Sequence, residues 1–277
     1  MRKTILKAEH ITKSFFGNIV LDDVDFDLYE GEVHTILGEN GAGKSTFLKI
    51  LAGVYSRDAG VVFVDGKQVE ISSISEAQGH GISMIFQELN VLTNLKVHEN
   101  IFLGKEFKRF GFLNDHESVK RSKELLDTLQ VAIDPLELVG NLKISDRQMI
   151  EIAKSLSCDA KIIIMDEPTS SLSEKEIEVF FSLIMQLKKN FSISFIFISH
   201  RLKEIQAISD RITILRDGKK ISTIDLHNEP YDEHLIVKQM VGRDIGSFYV
   251  THAKQKDTSN EEHHQELIKV ENLCSKS

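Results

Sequence analysis

A glycine-rich stretch at residues 38–46 (GENGAGKST) carries the strongest chemical signal in the sequence. It matches the pattern G-x-x-x-x-G-K-[ST], with Gly38 and Gly43 at the glycine positions and Lys44 and Ser45 after them. Glycines let backbone N–H groups approach a polyanion, a lysine adds positive charge, and a hydroxyl can bind Mg2+. These residue types at this spacing predict a loop that binds the phosphates of a nucleoside triphosphate. A glycine-rich turn that binds nothing is the alternative.

Two adjacent acids follow a later apolar run. Residues 161–165 read KIIIM, and Asp166 and Glu167 come next. Acids at the end of a buried strand are costly unless a cation or a substrate offsets them. We therefore expect Asp166 to hold Mg2+ through its water shell and Glu167 to orient or deprotonate an attacking water. Acids at a solvated strand end are the alternative.

Two more polar side chains follow apolar runs in the same way. Gln87 comes after residues 82–86 (ISMIF), and His200 comes after residues 193–199 (ISFIFIS). Open α/β sheets bind ligands at the carboxyl ends of their strands, so we expect both side chains at the edge where the phosphates lie. Taken singly, each is a weak signal, because a lone histidine is more often structural than functional.

The surrounding pattern predicts an α/β fold with a P-loop core, in which a mainly parallel sheet is flanked by helices. Apolar, β-branched residues before the glycine-rich loop predict a strand, and helical spacing after it predicts a helix over residues 46–52. Alternating runs joined by Gly17-Asn18, Asp65-Gly66 and Asp217-Gly218 predict hairpins and an antiparallel β subdomain. Residues 89–157 change character and predict an entirely helical insertion, and residues 233–241 predict a last helix.

Composition limits the possible partners. The chain has 277 residues, 41% of them hydrophobic and 27% charged, which is typical of a soluble globular protein. A net charge of −8 argues against nucleic acid as a partner. The longest apolar-rich run, residues 191–199, is too short to span a bilayer, so we expect any membrane role to act through a partner. The spacing of Cys158 and Cys274 predicts reduced thiols in the cytoplasm rather than a disulfide.

The order of these features over residues 4–242 resembles the nucleotide-binding subunit of an ABC transporter. The resemblance implies ATP and Mg2+ as ligands and assigns Gln87 to the loop that senses the membrane subunit. It makes Phe15 the adenine-stacking aromatic, although a turn aromatic alone could equally pack against the protein. The catalytic residues it implies are Lys44, Gln87, Glu167 and His200, and the Mg2+ ligands are Ser45, Gln87 and Asp166. The nucleotide contacts it implies are Phe15, Gly38, Glu39, Asn40, Gly41, Ala42, Gly43, Lys44, Ser45 and Thr46.

Residues 86–104 (FQELNVLTNLKVHENIFLG) and 148–156 (QMIEIAKSL) resemble the first ATPase half of bacterial monosaccharide importers of the ribose, galactose and arabinose type. This resemblance implies a peripheral ATPase on the cytoplasmic face of the cell membrane that energises import of a sugar or similar small solute. Its partners would be permease subunits, a second ABC ATPase domain paired head to tail and, indirectly, a solute-binding protein. A soluble tandem ABC protein acting on ribosomes or DNA, or a non-catalytic ATP-binding remnant, are the alternatives.

We predict three segments: an ABC-type ATPase domain at residues 1–245, a polar linker at 246–266, and the first strand of a second ABC domain at 267–277. The last rests on residues 268–273 (IKVENL), which repeat the pattern of residues 6–11 (LKAEHI). We hypothesise that the chain is an N-terminal half that ends early.

The sequence departs from the family at the signature that caps the opposite nucleotide. Residues 142–148 (LKISDRQ) align with it, and Lys143 and Ser145 stand where the family has serine and its second glycine. We expect the site served by this signature to be impaired, because a side chain at Ser145 hinders close backbone approach to the phosphate. The D-loop, residues 170–173, ends in Ser173 instead of the usual aspartate.

Overall fold

The computed structural model describes residues 2–242, and within them the chain forms twelve strands and eight α-helices. The strands are β1 (Thr4–Phe15), β2 (Asn18–Tyr29), β3 (Val33–Leu37), β4 (Ala59–Val64), β5 (Lys67–Val69), β6 (Ile82–Ile85), β7 (Lys108–Arg109), β8 (Phe112–Leu113), β9 (Ile162–Asp166), β10 (Ser194–Ile198), β11 (Arg211–Arg216) and β12 (Lys219–Asp225). The helices are α1 (Lys44–Leu51), α2 (Ile74–Gly79), α3 (Val97–Ile101), α4 (Asp115–Thr128), α5 (Ile144–Leu156), α6 (Glu174–Phe191), α7 (Leu202–Ile208) and α8 (Glu233–Val241). The linker at 246–266, the strand at 267–277 and Cys274 lie outside the described residues.

A six-stranded sheet in the order β12-β11-β3-β10-β9-β6 positions the predicted site. Its strands run parallel except for β12, which pairs antiparallel with β11 at one edge. Every residue of β3, β9 and β10 is buried, as expected for strands covered on both faces. Parallel pairing brings the carboxyl ends of β3, β10, β9 and β6 to one edge, so the residues that follow these four strands are neighbours.

Alternation along β9 divides the core between two layers. Ile162 and Ile164 pack on one face with α1 and the antiparallel strands, whereas Ile163 and Met165 pack on the other face with α5 and α6. Successive side chains of a strand point to opposite faces, which explains why a continuous apolar run is needed here.

A second sheet, in the order β2-β1-β4-β5, forms the predicted antiparallel subdomain. Asp65 and Gly66 join β4 to β5 with φ values of 49° and 75°, the backbone of the two-residue hairpin turn that an Asp-Gly pair favours. The antiparallel and mainly parallel sheets confirm the predicted fold class.

The insertion between β6 and β9 is mostly helical, but the expectation that it is entirely helical is wrong. It contains α3, α4 and α5 and also a two-stranded sheet formed by β7 and β8. Phe110 and Gly111, with φ values of 53° and 87°, make the turn of this hairpin. Its strands have two residues each, too few for a period-two pattern to be read from the sequence. Among the helices, α2, α6 and α7 have no counterpart in the predictions.

Candidate nucleotide-binding site

The glycine-rich loop connects β3 to α1, the strand-loop-helix setting that its sequence requires. Two of its glycines are dictated by neighbouring parts of the protein. A Cβ at Gly38 would lie 2.2 Å from the carbonyl oxygen of Leu215, and one at Gly43 would lie 2.7 Å from the side chain of Leu21 and 2.8 Å from the carbonyl oxygen of Val20. Gly43 also has φ 96° at the N-cap of α1. The loop therefore needs glycine for packing as well as for access by an anion.

The side chain of Lys44 folds back onto its own loop. Its Nζ donates hydrogen bonds to the carbonyl oxygens of Gly38, at 2.8 Å, and Glu39, at 3.0 Å. Burial lowers the pKa of Lys44, and the negative charges of Glu167 and Asp166 counteract part of that shift. A partly buried ammonium whose hydrogen bonds go to neutral carbonyl groups can be stabilised further by an anion in the loop.

Ser45 and Asp166 form the pair that fits Mg2+. The Ser45 hydroxyl donates to Oδ1 of Asp166 at 3.3 Å, and Asp166 is only 6% exposed. Burial raises the pKa of Asp166; the hydrogen bond from Ser45 opposes that shift, and the charge of Glu167 adds to it. A hydroxyl and a buried carboxylate are oxygen ligands of the type that Mg2+ uses together with phosphate oxygens and water. No group of three or more His, Cys, Asp or Glu side chains that could hold a metal exists within residues 2–242.

Three strand ends bring Gln87, Glu167 and His200 together. Nε2 of Gln87 donates to Oε2 of Glu167 at 3.4 Å, and Nδ1 of His200 lies 3.4 Å from Oε1 of the same carboxylate. Glu167 has φ 48°, a left-handed conformation that is uncommon outside glycine and costs roughly 1–3 kcal/mol. Such strain concentrates at functional sites, where the surroundings hold the residue in place.

A cavity of about 400 Å³ lies over the glycine-rich loop. The residues that line it are Val20, Asn40, Gly41, Gly43, Lys44, Ser45, Thr46, Gln87 and Glu167. A second cavity of about 350 Å³ is lined by Gln87 together with Ser45 and Asp166, and the assignment of Gln87 to the metal stays a prediction. Val20 in the first cavity and Lys49 in the second were not predicted from the sequence. Val20 gives no chemical signal in the sequence, because it is an apolar residue in an ordinary strand.

Other predicted contacts lie around rather than in the first cavity. Gly38 and Glu39 supply carbonyl groups to Lys44, and Ala42 is buried. The Phe15 ring packs edge-on against Tyr55 at 5.3 Å between centroids and does not line this cavity. Its contact with adenine stays a prediction.

The divergent signature begins helix α5. Lys143 is the N-cap residue and makes no side-chain cap hydrogen bond. Ser145 bonds instead to Glu176 at the start of α6. The pKa of Glu176 falls to about 2, first because the backbone and side chain of Ser173 donate to it and then because Ser145 and Lys143 stabilise its charge. Both departures of the signature therefore act on Glu176 in the first turn of α6, Ser145 through its hydroxyl and Lys143 through its charge.

This fold, with a glycine-rich loop before α1 and acids after β9, defines a nucleoside-triphosphate-binding protein of the P-loop class. A family model described as ABC transporter matches residues 21–170. The chain belongs to this family.

Similar proteins agree with that assignment. The ribose import ATP-binding protein RbsA of Geobacillus kaustophilus is 46% identical over 274 residues, which cover 98% of this chain and 53% of the relative. RbsA of Bacillus licheniformis is 46% identical over 245 residues, covering 88% and 49%. The chain thus spans about half the length of the curated relatives it matches.

Solved structures show the same fold. A nucleotide-free ATP-binding cassette from an ABC transporter superposes with a TM-score of 0.74 at 25% identity, covering 87% of this chain and all of that one. A dimeric cassette in a post-hydrolysis state, bound to ADP and phosphate, has a TM-score of 0.68 at 25% identity and covers 80% of this chain and 99% of its own.

Proposed function

We propose that the chain binds ATP with Mg2+ over the glycine-rich loop and hydrolyses it after closing head to tail on a second ABC domain. The observation that carries the proposal is that residues from four strand ends lie together. Lys44, Ser45, Gln87 and Glu167 line one cavity, and His200 lies beside Glu167. The ADP- and phosphate-bound dimeric cassette of the same fold supports the pairing.

Each residue has a role that follows from its position. Lys44 exchanges its carbonyl partners for phosphate oxygens, while Ser45 and Asp166 would hold Mg2+, which neutralises charge on the phosphates. Glu167 orients the attacking water and accepts its proton. His200, beside Glu167, donates a hydrogen bond to the γ-phosphate as negative charge shifts in the transition state.

We further propose that this hydrolysis drives import of a sugar. The support is the 46% identity to two ribose import ATP-binding proteins, and the alternatives of a ribosome- or DNA-acting protein and of a non-catalytic remnant receive no support from them. No helix within residues 2–242 is long and apolar enough to cross a membrane. The proposed location, implied by the role in import, is peripheral, on the cytoplasmic face, against permease subunits that receive solute from a binding protein.

A groove beside Gln87 supports permease docking. This cavity of about 190 Å³ is lined by Met84, Phe86 and Glu151, among others. Glu151 is 5% exposed, burial raises its pKa, and its Oε1 has no hydrogen-bond partner within the described residues. A permease segment in this groove would contact β6 and Phe86, the residue directly before Gln87.

Calorimetric titration of the purified chain with ATP, with and without Mg2+, tests the nucleotide site. We expect saturable binding that Mg2+ strengthens and that Lys44→Ala weakens, whereas Lys67→Ala, at an exposed position in the β4–β5 hairpin, leaves it unchanged. A folded chain that binds no ATP would refute the proposal.

Uptake of labelled ribose by vesicles with the co-expressed permease tests the proposed role in sugar import. ATP binding without ribose uptake would reject only that role.

A further inference from the structure

Glu204, near the start of α7, joins the two loops that carry Glu167 and His200. Its Oε2 accepts hydrogen bonds from the hydroxyls of Thr169 and Ser199, both at 2.7 Å. Thr169 lies on the loop after β9, two residues beyond Glu167, and Ser199 directly precedes His200. One carboxylate oxygen therefore holds both loops.

These three side chains are buried, and both carboxylate oxygens of Glu204 accept hydrogen bonds. Thr169, Ser199 and Glu204 are 2%, 3% and 6% exposed. The second carboxylate oxygen, Oε1, accepts from Nη1 of Arg201 at 3.2 Å, and the Arg201 amide donates to the Ser199 hydroxyl at 3.0 Å. Burying a carboxylate is costly, and an apolar contact could join two loops more cheaply. Hydrogen bonds, unlike apolar contacts, fix the positions of both hydroxyls.

We propose that Glu204 is a positioning residue that makes the Glu167 loop and the His200 loop move as one unit. The backbone adds one bond between them, from the Glu167 amide to the carbonyl of Ile198 at 3.1 Å. The Glu204 bridge lies beyond that bond and sets how far His200 stands from the carboxylate of Glu167. This inference rests on the proposed function for the roles of Glu167 and His200.

The loop that carries Glu167 also contacts α5, the helix that begins at the signature. The side-chain amide of Gln148 on α5 donates to the carbonyl of Pro168, the residue between Glu167 and Thr169. Gln148 is 2% exposed, so this contact is part of the core. A shift of α5 would reach Thr169 through Pro168 and then His200 through Glu204. Closure of the signature on a partner would thus be felt at the catalytic pair of the same chain.

Hydrogen exchange measured by mass spectrometry tests the coupling without requiring hydrolysis. The variants are Thr169→Val, Ser199→Ala and their combination, with Ser157→Ala as a control that removes a hydroxyl bonded to the Lys154 carbonyl at 2.7 Å. We expect Thr169→Val to speed exchange in residues 198–206, and Ser199→Ala to speed it in residues 166–172, by about 2- to 10-fold. The double variant should exchange no faster than the faster single variant, because either change breaks the bridge. The proposal would be overturned if each substitution sped exchange only in its own loop. It would also be overturned if Ser157→Ala sped exchange in these loops as much as the test variants do.

Two substitutions of Glu204 separate positioning from folding. Glu204→Gln keeps an oxygen that can accept from both hydroxyls, so exchange in the two loops should stay near wild type. Glu204→Ala removes the acceptor, and exchange should rise in both loops. In a hydrolysing preparation, kcat of Glu204→Ala should fall by about 10- to 100-fold while the Kd for ATP is unchanged. If the wild-type chain binds no ATP, the proposed function is refuted. The exchange measurements would still decide whether Glu204 links the two loops.

Discussion

Oε1 of Glu167 lies 3.4 Å from Nδ1 of His200, and the two residues follow adjacent parallel strands, β9 and β10. The left-handed backbone of Glu167 places its carboxylate here. The side chain of His200 is 64% exposed and that of Glu167 is 23% exposed, so substrate can reach both. Glu167 lines the cavity over the glycine-rich loop and His200 lies beside it, so an attacking water and a terminal phosphate have room next to both side chains.

Glu167→Gln should abolish most hydrolysis. The amide keeps the shape and the hydrogen bond to Gln87 but cannot accept a proton, so turnover should fall by about 100- to 10,000-fold at unchanged ATP affinity. Single-turnover hydrolysis of labelled ATP, with the chain in excess, measures the rate. Glu178→Gln, on an exposed turn of α6, is the matched control. Equal rates for the wild type and Glu167→Gln would remove Glu167 from the mechanism.

Lys44→Ala should weaken ATP binding by about 10- to 100-fold. Hydrogen bonds from a charged donor contribute roughly 1.5–3 kcal/mol, and the Lys44 ammonium is already desolvated by the loop. The loss should be equally large for inorganic triphosphate, because Lys44 acts on phosphate and not on the base. Titration calorimetry with both ligands checks this. A loss confined to ATP would place Lys44 elsewhere.

How much could be predicted depends on whether a contact is set locally or by packing. The buried strands are continuous apolar runs, so the sequence predicted that Gln87, Asp166 and His200 share one edge. Val20 and Glu204 gave no such signal. Val20 is an apolar strand residue and Glu204 is an acid on a short helix. Their roles depend on which distant segment of the chain packs beside them. Lys44 was predicted to contact phosphate, but its bonds to its own loop depend on how the backbone folds back.

Asp166→Asn should make the nucleotide-free chain more stable. Burial raises the pKa of Asp166, so its folding contribution is fully present below the unfolded pKa and is lost as pH rises through the folded value. At neutral pH the ionised carboxylate therefore opposes folding, and the amide does not. We expect a Tm a few degrees above wild type at pH 7 and no difference near pH 3, by calorimetric scanning. The variant should also lose the Mg2+-dependent part of ATP binding, and a lower Tm at pH 7 would contradict this account.

Asp58 should make the strand that carries Phe15 sensitive to acid. It accepts bonds from Lys13 Nζ, the Ser14 hydroxyl and the Ser14 amide, each at 2.7 Å. The Lys13 bond first, and then the Ser14 bonds, lower the pKa of Asp58 to about 2. Its stabilisation is therefore complete above the unfolded pKa, near 4, and is lost as pH falls toward 2. The Ser14 amide signal in NMR spectra should shift over this range in the wild type, and Asp58→Asn should remove the shift.

Phe15→Ala tests the assignment of the adenine contact. If Phe15 stacks on the base, the variant should weaken ATP binding by about 5- to 100-fold and leave the binding of inorganic triphosphate unchanged. Phe16→Ala is the matched control, since the Phe16 side chain is fully exposed in the same turn. Equal losses for ATP and triphosphate would show that Phe15 acts by supporting the fold through Tyr55.

The two departures in the signature should change stability in opposite directions. Lys143→Ser places a capping hydroxyl at the N-cap of α5, where none exists, and should raise the free energy of unfolding by about 1 kcal/mol. Ser145→Gly puts glycine in the first turn of the same helix, and that backbone effect should lower the free energy of unfolding by about 1 kcal/mol. Denaturant titration of each variant gives both values. If the signature serves the opposite site, as the family resemblance implies, the double variant should hydrolyse ATP faster than wild type only when paired with a second ABC domain. Faster hydrolysis by the unpaired chain would mean that the signature acts on its own site.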